Sequence, residues 1–201
     1  MRRFASAALA TLAGLCVAPT VAWAHTPIKG IGGFYNGLLH PVVVPAHLLS
    51  LLAIGLLMGQ QPRQSAGQSF LGFALAFPAG LIVAGLGVNL PFDTLPLAMA
   101  TVLGLAVAAK PPLPAIVVHV AAMATGLVIG WDSPADTAGI RAAALSGFGV
   151  TLGAFYIVIM VAALTLSHKR PWQGIAVRVA GSWIAASAVM VLALATTKSG
   201  L

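Results

Sequence analysis

Long apolar stretches alternate with short polar interruptions along this chain. A first apolar run, Phe4 to Val17, follows Met1-Arg2-Arg3 and leads to Ala22-Trp23-Ala24. Six longer runs come after it: roughly Phe34–Gly59, Ser69–Val88, Pro91–Ala109, Pro112–Trp131, Ala142–Leu166 and Gly174–Thr196. Each is close to the ~20 apolar residues that carry a helix across a bilayer core. The pattern predicts an all-α fold: a polytopic membrane helix bundle of six transmembrane helices.

The first run is different in kind. A basic start, an apolar stretch and an A-x-A sequence read as a secretory signal peptide over residues 1–24. Cleavage after Ala24 makes His25 the first mature residue and leaves residues 25–201 as one six-helix membrane domain. The single cysteine, Cys16, lies in the removed piece, so the mature chain has no thiol for a disulfide or a thiolate metal site.

Composition strengthens the membrane reading. Of the 201 residues, 60% are hydrophobic and 6% charged, against roughly 25% charged in soluble domains. Lipid is therefore the main solvent, and the loops are too short to hold a soluble domain. The net charge of +7 is scattered at the ends of the runs. It forms no basic stripe, which excludes nucleic acid as a partner.

The charges do set an orientation. Arg63, Lys110 and the pair Lys169-Arg170 occupy alternate connections, while Asp93, Asp132 and Asp136 occupy the others. Positive charge stays on the cytoplasmic side. The chain is thus expected to cross its membrane with both mature termini outside, although Lys29 and Lys198 run against the rule. Small residues within the runs, among them Gly80, Gly85, Gly87, Gly149, Gly153 and Gly181, are expected to let helix backbones approach.

Polar side chains at membrane depth are costly, and the few present are candidates for function. His40 and His47 sit seven positions apart with Pro41 and Pro45 between them. On a regular helix they share a face but lie about 10 Å apart along the axis. One ion can touch both only if the helix breaks, and the two prolines supply the means. The fourth run holds His119, with Met123 one turn later; imidazole and thioether both bind late transition metals. His25 would add a free α-amine and an imidazole at the outer mouth. His168 sits in a basic loop and is expected to be solvated. A faint repeat is also present. Pro45-Ala46 with His47 is echoed by Pro114-Ala115 with His119, and Gly72-Phe73 by Gly147-Phe148. It fits an inverted three-plus-three plan with sites near the midplane, in which His47 and His119 face one another.

These residues resemble the HupE/UreJ family of six-span bacterial membrane proteins. The resemblance rests on His25-Thr26, Gly33-Phe34, and His40-Pro41 followed by His47 and Gly55. It also rests on His119 and on Arg178 followed by Gly181-Ser182-Trp183. In the family pattern H-P-x-x-G-x-D-H-x-x-x-M-x-x-x-G, Val44 stands for the Gly, Ala46 for the Asp and Leu51 for the Met; Met123 stands for the second His of H-G-x-x-H. The resemblance implies a permease for nickel or cobalt with metal ligands among His25, His40, His47, His119 and Met123. It implies no tightly bound cofactor and no enzymatic activity. The expected partners are the lipid bilayer, the metal ion, further copies of the chain, or metalloenzyme maturation proteins. Two alternatives remain: a non-transporting accessory subunit, and a permease for a softer ion such as copper, which a His/Met set would suit.

Overall fold

The computed structural model describes residues 31–87, 94–134, 139–167 and 170–198. Residues 1–24, expected from the sequence to be a signal peptide, lie outside them, as do His25, Asp93, Asp136 and His168. Among the described residues the protein is all-helical: α1 Gly33–Val43, α2 Pro45–Gly59, α3 Arg63–Gly85, α4 Leu95–Ala109, α5 Ala115–Trp131, α6 Ile140–Leu166 and α7 Pro171–Lys198.

The first apolar run forms two helices rather than one. Proline disfavours the α conformation in the residue before it. Val44, just ahead of Pro45, is extended at φ −88° and ψ 106°. The axis bends by 71° between α1 and α2. Pro45 then starts α2, where its missing N–H costs nothing.

Proline also trims the later runs. The fourth was expected from Pro112, but α5 starts at Ala115, because Pro111, Pro112 and Pro114 keep the preceding chain out of the helix. Lys110 closes α4 in the left-handed region at φ 50°. Three helices are long and apolar enough to cross a membrane: α3, α6 and α7; the bent α1–α2 pair passes as a fourth span. The apolar helices α4 and α5 have 15 and 17 residues, or roughly 22–26 Å of rise, somewhat short of a ~30 Å hydrocarbon core.

Helix α2 is the centre of the bundle and touches every other described helix. Leu51, Ala53, Ile54 and Met58 on it are fully buried. Around it stand three close pairs: α3 with α5, α1 with α6, and α4 with α7. Glycine makes each approach possible. A methyl at Gly130 would collide with the Phe77 carbonyl of α3, one at Gly149 with the Phe34 carbonyl of α1, and one at Gly181 with the Val107 side chain of α4. Gly80 and Gly153 are likewise pressed against neighbouring backbone. Gly85 and Gly87 are not: among the described residues nothing lies within 4 Å of either added methyl, and Gly87, at φ +78°, serves a turn. Phe70, Phe73 and Phe77 of α3 stack around Phe155 of α6, with centroids 5.7–6.1 Å from it.

Exchanging the first three runs with the last three leaves these pairings unchanged. The pairing of α1 with α6 maps onto that of α5 with α3, and α4 with α7 maps onto itself. The pairing of α2 with α4 has no comparable counterpart between α5 and α7.

The bundle has two chemically different ends. At one, Gln60 Nε2 donates to the Val107 carbonyl (3.1 Å) and Arg178 Nε to the Ala108 carbonyl (2.7 Å). These bonds satisfy carbonyls that the end of α4 leaves open, and a cation there complements the helix dipole. Lys110 lies at the same end. At the other end stand His47 and Asp132, where Ser50 of α2 donates to the Pro96 carbonyl at the start of α4 (2.7 Å).

Candidate metal centre

His40 lies in the last turn of α1 and His47 in the first turn of α2. The break at Val44 turns the second helix aside by 71° and brings the two rings to 5.2 Å, centroid to centroid. A nitrogen-bound metal lies about 2 Å from its ligand atom, so two imidazoles on one ion have centroids up to roughly 6 Å apart. The observed separation fits within that span. The backbone also changes here. Val44 N–H still reaches the His40 carbonyl and Leu48 N–H the Val44 carbonyl, but Pro45 has no N–H to return to Pro41.

His47 is fully buried, and its Nε2 lies 2.8 Å from Oδ2 of Asp132, the residue that closes α5. A carboxylate oxygen accepts hydrogen bonds, so the imidazole donates through Nε2–H to Asp132 and Nδ1 is the nitrogen left for another contact. Nδ1 is buried and has no hydrogen-bond partner among the described residues. Asp132, at 36% exposure, remains open to the bundle end. Its position is not explained by helix capping, since a carboxylate at a helix C-terminus opposes the dipole. The contact with His47 offsets that cost.

His119 and Met123 lie elsewhere. His119 Nδ1 donates to the Ala115 carbonyl one turn back (2.6 Å), with Ser69 Oγ of α3 at 3.2 Å. Met123 is 50% exposed and lies against Gly72 of α3. The same face of α5 continues through Gly126 on Phe73 and Gly130 on Phe77. Both series climb together, so α3 and α5 run parallel, locked by small residues. That packing turns His119 toward α3. Asp132, the partner of His47, lies about 20 Å of helix rise further along α5. The expected face-to-face placement of His47 and His119 is therefore corrected: the two histidines occupy opposite ends of α5. Among the described residues, no three His, Cys, Asp or Glu side chains form a group able to hold a metal ion.

A family model described as HupE / UreJ protein matches residues 12–191 of the 201. The chain belongs to the HupE/UreJ family. This family is associated with nickel or cobalt uptake or with accessory function. No curated protein and no solved structure matches the chain.

Within this HupE/UreJ protein, the residues at the bend are those that carried the sequence resemblance. His40 and His47 meet across the break that Pro41 and Pro45 foreshadow. Asp132 was missed as a member of the site; its charge marked only the side of the membrane. The available signal was its rarity, as one of three acidic residues in the chain, and its place at the end of the fourth run on the same side as His40.

Proposed function

We propose that this HupE/UreJ protein is a permease for a divalent transition-metal cation, nickel or cobalt, in the bacterial inner membrane. It would be processed at Ala24, cross the membrane six times, and keep both mature termini outside. The observation that carries the reading is the meeting of His40 and His47, 5.2 Å apart, at a proline-made break. Broken helices at membrane depth expose backbone polar groups and form ion sites in many transporters.

His47 would offer Nδ1 to the ion and His40 its imidazole, with His25 delivering the ion from the outer mouth. A site with two imidazoles holds an ion without trapping it, as conduction requires. Borderline nitrogen donors and a nearby carboxylate suit nickel or cobalt better than copper(I). The softer-ion alternative relied on a His/Met set, and Met123 lies against α3, away from His47. The driving force would be the membrane potential or an ion gradient.

Uptake by purified protein in liposomes tests the proposal. With an inside-negative potential, external Ni²⁺ or Co²⁺ should accumulate at least about tenfold over protein-free vesicles, the ratio that ~1.4 kcal/mol of driving force sustains. Protein that binds either ion but leaves the vesicle lumen empty would establish the accessory reading instead.

A further inference from the structure

We infer that Asp132, reaching in from α5, is the carboxylate of the His40–His47 site and acts on the ion through the His47 ring. The inference rests on the permease reading and assigns a positioning residue to its site. A divalent ion among apolar helices needs compensating negative charge nearby. The α1–α2 bend carries none, since its residues from Gly33 to Gly59 include no acid, and Ala46 stands beside His47. Asp132 Oδ2, 2.8 Å from His47 Nε2, is the carboxylate that the fold brings to a fully buried histidine.

The geometry fixes the manner of action. A metal-ligating histidine commonly donates its other N–H to a carboxylate, which sets the tautomer and raises the basicity of the ligating nitrogen. Here the carboxylate takes Nε2–H. The remaining nitrogen, Nδ1, is buried and without a hydrogen-bond partner among the described residues. Asp132 also joins α5 to the bend, which ties the ion site to the α3–α5 pair. A carboxylate one imidazole ring removed from the ion accounts for a functional site in which, among the described residues, no three ligating side chains are grouped.

The test uses the full-length protein purified in detergent, titrated with Ni²⁺ against a competing chelator dye. Asp132→Asn keeps the size and loses the charge; Asp132→Glu keeps the charge. Asparagine should weaken nickel binding by about 10–100-fold, the usual effect of losing such a partner, and glutamate should restore binding to within about tenfold. Nitrogen-15 spectra of labelled histidine should show His47 as the Nε2–H tautomer in the parent protein and a mixture in Asp132→Asn. Melting curves without metal should stay close together. Asparagine that binds nickel as tightly as the parent, or a His47 tautomer unchanged by it, overturns the inference while leaving the permease reading in place. A parent protein that binds neither nickel nor cobalt overturns the underlying reading as well.

Discussion

Replacing His47 with alanine should abolish nickel binding while the helical fold survives. The imidazole is fully buried, meets Asp132 at 2.8 Å and lies 5.2 Å from the His40 ring. Removing a supporting partner of a metal ligand costs about 10–100-fold in affinity; removing the ligand itself should exceed that, to at least ~100-fold. The same substitution costs stability. Asp132 loses its partner, and a deleted hydrogen bond to a charged group is worth about 1.5–3 kcal/mol. The carboxylate is 36% exposed, so water recovers part of this and the lower end is expected. Dye competition and thermal unfolding monitored by circular dichroism measure both effects. Wild-type affinity in His47→Ala would remove this histidine from the site.

Straightening the first span should have nearly as large an effect on binding with a smaller one on stability. The 71° bend places Pro45 directly after the extended Val44. With Pro41→Ala and Pro45→Ala together, α1 and α2 can join into one helix, since alanine is favoured over proline by about 3 kcal/mol in a helix interior. A continuous helix would hold His40 and His47 about 10 Å apart along its axis, too far for one ion. Nickel affinity should fall to the level of His47→Ala, and helix content should hold or rise. Full affinity in the double variant would contradict the role given to the prolines.

Much of this architecture was legible because membrane burial is written locally. Each apolar run became a helix or, at Pro45, a bent pair. The bend was legible for the same reason: proline acts on the residue beside it, whatever surrounds it. The partners of His47 and His119 were not legible in this way. Asp132 meets His47 because α5 ends beside the start of α2, a fact of helix arrangement that no local pattern records. His119 was misplaced because Pro-Ala sequences precede both histidines and made them look equivalent. The face of α5 is chosen instead by Gly126 and Gly130, which allow contact with Phe73 and Phe77 and carry His119 round to Ser69. Glycine spacing gives little warning of this, since Gly85 and Gly87 look much the same in sequence and pack against none of the described residues.

The most direct test of the central claim is X-ray absorption at the nickel edge of the metal-loaded purified protein. Ligation at the bend predicts nitrogen and oxygen neighbours at about 2 Å, with the outer-shell scattering of two imidazoles and no sulfur. A spectrum with a sulfur shell near ~2.3 Å, or without imidazole scattering, would contradict a site between His40 and His47.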